Sequence, residues 1–207
     1  MKRNFFGIIL VFLGYASLFG QTSNTGAEQL QKLLDGGQVE LNANGNGNSS
    51  GMAVLGILVN NTQDEKQIDI FLEGGLYLQN SGSGQNMVAL QIYLSGGSYY
   101  SDGSSYFIVL PPKGNIRVSF VAFCADFDLD NPSPGQPLVP RPMPNELRAI
   151  ASRLSKYAYE NFDSDSDNTT AIQLALWRLQ GNTRAKIGEK FYFEDEDWDI
   201  STEIMNS

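Results

Sequence analysis

The sequence predicts an α+β fold, in which an antiparallel β-sandwich or barrel is followed by a small helical part that carries a buried helix. Short β-type segments separated by Gly-rich turns fill residues 51–123, as is typical of antiparallel sandwiches and barrels. An amphipathic helix pattern then begins near residue 145. Residues 171–179 are apolar on nearly every side, and a helix of that kind belongs inside a protein. Because this helix needs a shell, we expect the preceding strands to supply one.

The N-terminal residues 1–20 have the pattern of a secretory signal peptide. Two basic residues precede an apolar run over residues 5–13, and small residues including Ala16 and Gly20 follow. Cleavage after either of these small residues fits the pattern. A membrane anchor is the alternative, but the apolar run is shorter than the ~20 residues that span a bilayer. We therefore expect an exported protein, secreted, periplasmic or at the cell surface, with no stable membrane span after signal removal.

A lead-in helix is expected within residues 21–37, ahead of the strands. Thr25 and Glu28 have the spacing of a capping box, leucines recur at helical spacing, and a glycine pair ends the pattern. Residues 42–51 are rich in Asn, Gly and Ser, which favours a loop. Strands are then predicted at residues 51–60, 67–72, 76–79, 86–94, 106–110 and 116–123.

One domain is expected over residues 38–200, with a β part at 38–125 and a helical part at 145–181. Between the two parts, residues 126–144 contain six prolines, which predicts irregular structure. After the helical part, residues 190–193 have the composition of a final strand. The acidic run after them is expected to be a solvated surface, and residues 201–207 a polar tail.

Composition excludes several function classes. The formal net charge is −9, whereas nucleic-acid binding needs basic patches. There is no histidine, which excludes Ser-His-Asp and Cys-His nucleophiles as well as imidazole-based zinc sites, and leaves a hydrolase with little support. The single cysteine excludes an intramolecular disulfide. In an exported protein, such a cysteine is either a small buried hydrophobe or a thiol with a reactive purpose.

Cys124 and Gln173 form the main candidate site. A cysteine thiol held against a glutamine carboxamide can displace ammonia and form an internal thioester, which a partner's amine or hydroxyl can later attack. The reaction needs both side chains fixed at bonding distance, and a strand end and a buried helix provide that rigidity. The alternative is structural: Gln173 has capping-box spacing to Thr170, and Cys124 is then a buried small residue.

Two short motifs around these residues resemble those of bacterial thioester domains on surface adhesins. Phe123-Cys124-Ala125-Asp126 resembles the aromatic-Cys motif, and Gln173-Leu174-Ala175-Leu176-Trp177 is similar to the second signature, Thr-Gln, a variable residue, Ala, an aliphatic residue and Trp. The similarity covers residues 74–181, with Ile172 at the position of the family threonine. The resemblance implies a thioester between Cys124 and Gln173, supported by Phe123, Asp126, Thr170, Ala175 and Trp177.

The resemblance also implies a function. A secreted or surface-exposed adhesion domain of this type attaches covalently, once, to an amine or hydroxyl on an extracellular protein or glycan, so it is not a turnover enzyme. The alternative is a non-covalent extracellular binding or structural module of the same fold without the bond. Alkylation separates the two, because a bonded cysteine resists alkylating reagents until a small amine opens the thioester.

Alternate aspartates near both motifs suggest a calcium site, and no other cofactor is expected. Alternating oxygens in a turning loop can wrap a calcium ion, although neither loop has the EF-hand pattern. The alternative is a pair of solvated acidic loops. The candidate ligands are Asp126, Asp128 and Asp130 in the first loop and Asp163, Asp165 and Asp167 in the second.

Overall fold

The computed structural model describes residues 27–94, 99–101, 105–161 and 168–207, and its class is α+β as predicted. The signal-peptide residues, Thr25 and the second group of aspartates lie outside this part. The strands are β1 (Val39–Gly45), β2 (Met52–Asn60), β3 (Lys66–Asp69), β4 (Phe71–Asn80), β5 (Met87–Tyr93), β6 (Tyr100–Ser101), β7 (Tyr106–Leu110), β8 (Asn115–Cys124) and β9 (Pro137–Pro140). The helices are α1 (Leu30–Asp35), α2 (Asn145–Glu160), α3 (Thr169–Leu179), α4 (Arg184–Gly188) and α5 (Asp195–Asn206).

The main sheet is a closed antiparallel barrel and not a sandwich. Its strand order is β1-β2-β8-β5-β4-β9, and β9 closes it by pairing with both β1 and β4. Leu138 shows the closure directly, since it lies opposite Ala43 on one side and Asn80 on the other. A second small sheet has the order β3-β7-β6. The barrel interior is filled by inward side chains such as Leu58 and Phe120, both fully buried.

The prediction that residues 126–144 are irregular was wrong at β9. Proline lacks an N–H donor, but Pro137 and Pro140 stand at the two ends of the strand, with Leu138 and Val139 between them. The carbonyls of this segment still accept hydrogen bonds, including one from Gly45 N to Gln136 O at 3.1 Å. A proline-rich segment can therefore serve as the strand that closes the barrel.

The first residues of the loop expected at 42–51 belong instead to strand β1, which ends at Gly45. Its residues alternate between buried and exposed, and it pairs with β2 from Val39 opposite Asn60 to Gly45 opposite Val54. The polar composition describes its outward face, while Leu41 and Ala43 face the core. The gap between the strands predicted at 67–72 and 76–79 is also absent, because Gly74 and Gly75 adopt positive φ and form an irregularity inside β4.

Helices α2 and α3 cover one side of the barrel. Ser155 of α2 accepts a hydrogen bond from Gly74 N at 3.1 Å, which joins α2 to the irregularity in β4. Helix α3 is buried from Ala171 to Trp177, as its apolar sequence predicts. It ends before Gly181, whose φ is +91°. Within the part of the chain described, no helix is long and apolar enough to cross a membrane.

Three predictions for segments outside the barrel need correction. The lead-in helix begins at Leu30, and Glu28 instead bridges to Ile68 of β3. Residues 190–193 form no strand, and residues 201–206 are not a tail but the last part of α5. The acidic run starts that helix, with Glu194 and Asp197 forming a capping box. Ile204 of α5 is fully buried, so this helix packs into the domain.

Candidate functional site around Cys124

The first motif lies at the end of β8, where its side chains alternate between two cores. Cys124 is the last residue of β8, and neither it nor Phe123 has any exposed surface. Cys124 belongs to the barrel core, whereas Phe123 packs in a second core between the barrel and the helices. Ala175 of α3 belongs to that second core as well. The strand end is therefore fixed from both sides.

The second motif meets the first through its polar side chains. Gln173 Oε1 accepts a hydrogen bond from Cys124 N at 2.8 Å, and Gln173 Nε2 donates to Cys124 O at 2.9 Å. Trp177 Nε1 donates to the same carbonyl at 3.0 Å. Gln180 Nε2 donates to Ala125 O at 2.7 Å. These three side chains follow one another at helical spacing, so one face of α3, together with Gln180 just after its last residue, binds the main chain at the end of β8.

Side chains on this face of α3 form hydrogen bonds to the main chain of β8 beyond the point where its pairing with β2 ends. The residues just before β2 still follow β8, since Ala122 N donates to Gly51 O at 2.8 Å and Cys124 N donates to Ser49 O at 2.9 Å. Gln173 and Trp177 then supply side-chain donors to the Cys124 carbonyl. A buried carbonyl without a donor would be costly, so these contacts stabilise the junction between barrel and helices.

The alternative interpretation of Gln173 as a helix cap is wrong. The residue at the start of α3 is Asn168, and no side-chain capping hydrogen bond is made there. The Gln173 side chain, which has no exposed surface, bonds to Cys124 instead. Thr170 lies half-buried in the first turn of α3, and Ile172, at the position of the family threonine, packs in the second core.

The Cys124 thiol contacts other residues than the main-chain N–H and carbonyl of Cys124 do. Its Sγ lies 3.6 Å from Met87 Sδ and 3.8 Å from Asn131 Oδ1. Burial raises the pKa of the Cys124 thiol to about 12, and the nearby negative charge of Asp126 adds to the effect. The thiol is thus protonated at neutral pH, so any reaction must move its proton together with the leaving group.

Trp177 and Asp126 hold the surroundings of this cysteine. The Trp177 ring packs edge-on against Phe127 and Phe191, with ring centroids 5.1 and 5.2 Å apart. Asp126 Oδ2 accepts hydrogen bonds from Asn86 N at 2.9 Å and Asn86 Nδ2 at 2.7 Å. That carboxylate therefore ties the end of β8 to the start of β5.

The first candidate calcium loop has other partners for two of its aspartates. Asp126 binds Asn86, and Asp128 Oδ2 lies 3.2 Å from Lys186 Nζ, whose hydrogen bond lowers the pKa of that carboxyl. Asp130 is exposed. No three carboxylates or thiols converge on a metal-sized site within the described ranges, and the second loop lies outside them. Calcium binding stays a prediction.

A cavity of about 410 Å³ lies beside the site. Ser49, Asn131 and Trp177 line it, and each of them contacts Cys124. Asn131 and Gln180 were not predicted from the sequence to contact Cys124 or its neighbour, although the seven-residue spacing from Gln173 to Gln180 is a helical spacing that could have indicated Gln180.

Comparison of the chain with protein-family models, curated proteins and solved structures found no match.

Proposed function

We propose that this protein is an exported, surface-acting domain that forms an internal thioester between Cys124 and Gln173 and transfers it once to a partner. The observation that carries the proposal is the pairing of the Gln173 carboxamide with Cys124, in which two hydrogen bonds join residues without exposed surface. The partner's nucleophile is an amine or hydroxyl on an extracellular protein or glycan. The resemblance of both motifs to bacterial thioester domains points the same way.

The chemistry consists of two acyl transfers. In the first, Cys124 Sγ attacks Gln173 Cδ, the bond from Cδ to Nε2 breaks, and the thiol proton leaves with the nitrogen as ammonia. In the second, the partner's amine or hydroxyl attacks the same carbon, the thioester C–S bond breaks, and the proton passes to Sγ. The product is an amide or ester to Gln173 and a restored Cys124 thiol. No oxidant, metal or second turnover is required.

The other hydrogen bonds around Cys124 keep its main-chain N–H and carbonyl paired when the Gln173 side chain moves to react. When the Gln173 carboxamide turns from the main chain to the thiol, Cys124 N still donates to Ser49 O. Its carbonyl still accepts from Trp177 Nε1. The strand end therefore stays held while the carboxamide reacts, and the burial of Cys124 and Gln173 limits the access of water that would hydrolyse the bond.

The deciding experiment is the intact mass of the freshly purified, signal-free protein beside a Cys124→Ala variant. We expect the wild-type mass to be lower than the sequence mass by one ammonia, and the variant to have its full mass. Methylamine should convert the wild type to its methylamine adduct. Gln180→Met is the matched control, because it loses an amide contact to the same strand end but keeps the reacting pair. A full, unmodified wild-type mass would refute the covalent mechanism.

One observation favours the alternative of a non-covalent binding or structural module. The Gln173 carboxamide contacts the main chain of Cys124, while the thiol contacts Met87 and Asn131. In such a module Gln173 serves to complete the hydrogen bonding of β8. Alkylation separates the two functions: the thiol of a plain module is alkylated on unfolding without any amine, whereas a thioester must first be opened.

A further inference from the structure

Gln85, which lines the cavity beside Cys124, carries a buried acceptor that has no donor among the described residues. Gln85 lines this cavity just before β5, and 4% of its surface is exposed. Its Nε2 donates to Leu129 O at 2.6 Å, and its main-chain N donates to Asp130 O at 2.8 Å. Its Oε1 is buried with no hydrogen-bond partner among the described residues. Buried polar atoms are nearly always paired, so an unpaired acceptor on a residue that lines a cavity indicates a ligand that donates.

The orientation of the Gln85 carboxamide is fixed by its neighbour. If oxygen and nitrogen were exchanged, an oxygen would face the Leu129 carbonyl, and two acceptors would oppose each other. The carboxamide is therefore held with its nitrogen on Leu129 and its oxygen free to accept. The ligand must bring an N–H or O–H group to this oxygen.

The charged and aromatic side chains that line the cavity favour a ligand with a positive charge at the end of an apolar chain. Asp130 and Lys190 both line the cavity, and Lys190 shares the Asp128 carboxylate with Lys186, whose Nζ atoms lie 3.6 and 3.2 Å from its oxygens. Asp130 makes none of the ion pairs found among the described residues, so its carboxylate is the group in the cavity wall that can pair with a positively charged ligand. Trp177 and Phe191 supply apolar aromatic surface. A protonated amine on an alkyl chain satisfies the acceptor, the carboxylate and the aromatic wall together.

We infer that this cavity binds an alkylammonium group, with Gln85 Oε1 as its acceptor and Asp130 as its countercharge. The cavity also leads to the thiol, because Asn131 lines it and its Oδ1 lies 3.8 Å from Cys124 Sγ. Gln85 is then a positioning residue that orients the partner's ammonium group: this group gives one proton to solvent water, the resulting amine attacks Gln173 Cδ, the thioester C–S bond breaks, and a second proton passes from the nitrogen to Cys124 Sγ. The delivery step rests on the proposed thioester, whereas the binding step does not.

Binding is tested in the Cys124→Ala protein, which cannot form the thioester. n-Butylammonium chloride is titrated while the side-chain amide signals of Gln85 are followed by NMR, with n-butanol as the uncharged probe. We expect saturable shifts with butylammonium at concentrations roughly tenfold lower than with butanol, as one charge-assisted hydrogen bond predicts. Gln85→Met should weaken butylammonium binding roughly tenfold, followed through the Trp177 indole signal. Gln180→Met, which loses a comparable amide contact outside the cavity, should leave it unchanged.

Three results would overturn the inference: no saturable shift, equal binding of butanol and butylammonium, or unchanged binding in Gln85→Met. Each is distinguishable from failure of the proposed function, because the thioester is measured separately by mass in the wild type. Where the thioester forms, Gln85→Met should raise the butylamine concentration for half-maximal opening while Gln180→Met does not. An unchanged concentration dependence in Gln85→Met would remove its positioning role.

Discussion

The Cys124 carbonyl accepts hydrogen bonds from both Gln173 Nε2 and Trp177 Nε1, which predicts a measurable coupling between these two side chains. In a Cys124→Ala background the main-chain carbonyl is kept and no thioester interferes. Gln173→Met removes one donor and Trp177→Phe removes the other. Each single variant keeps one donor on the carbonyl. Trp177→Phe loses one hydrogen bond, at about 1 kcal/mol, and Gln173→Met loses two, at about 2 kcal/mol, because its oxygen also accepts from Cys124 N.

The double variant loses both side-chain donors and leaves a buried carbonyl without them. Desolvating an unsatisfied buried group costs about 1–3 kcal/mol, so the double variant should be destabilised by that amount beyond the sum of the singles. The smaller phenylalanine ring also leaves unfilled volume, but this cost occurs in the single and the double variant and cancels in the cycle. The coupling free energy therefore reports the shared carbonyl.

Urea unfolding followed by far-UV circular dichroism measures the four free energies of unfolding. A second cycle, Trp177→Phe with Gln180→Met, is the control, because Gln180 binds the carbonyl of Ala125 and not that of Cys124. We expect near-additivity there. If the first pair were additive within about 0.5 kcal/mol, the two side chains would not share an acceptor, and our account of the α3–β8 junction would be refuted.

Two further predictions concern stability. Because burial raises the pKa of Cys124 from 9.0 to about 12, the unfolded state loses this proton first as the pH rises. The sample is protein whose thioester was opened with ammonia, which regenerates Gln173. Its free energy of unfolding should fall between pH 9 and 12 by up to about 1.4 kcal/mol per pH unit relative to Cys124→Ala. Free energies of unfolding in urea that change in parallel with pH in the two proteins would contradict this. At the barrel closure, Leu138→Ala should cost about 2–5 kcal/mol and Val139→Ala less, since Leu138 is 2% exposed and Val139 is half-buried; equal costs would contradict the packing of Leu138 in the barrel core.

Local patterns in the sequence predicted the long elements well. The alternation in residues 116–123 and the apolar periods of α2 and α3 come from burial of one face or of the whole element, and such burial leaves a direct trace in composition. Segments β1, β9 and α5 were missed, because their polar, proline-rich or acidic residues suggest loops when read alone. Each is held in place by partners distant in the chain, as when β9 pairs with β1 and β4.

The sequence by itself determined the α+β class, the buried helix and the choice of Cys124 and Gln173 as a pair, because periodicity and residue chemistry are local properties. Tertiary structure decided that the sheet closes into a barrel, since closure depends on a pairing between distant segments. It also decided that Gln173 binds Cys124 instead of capping its own helix. Tertiary structure decided as well that Gln85 Oε1 has no hydrogen-bond donor among the described residues, because whether a buried atom is paired depends on all the groups packed around it.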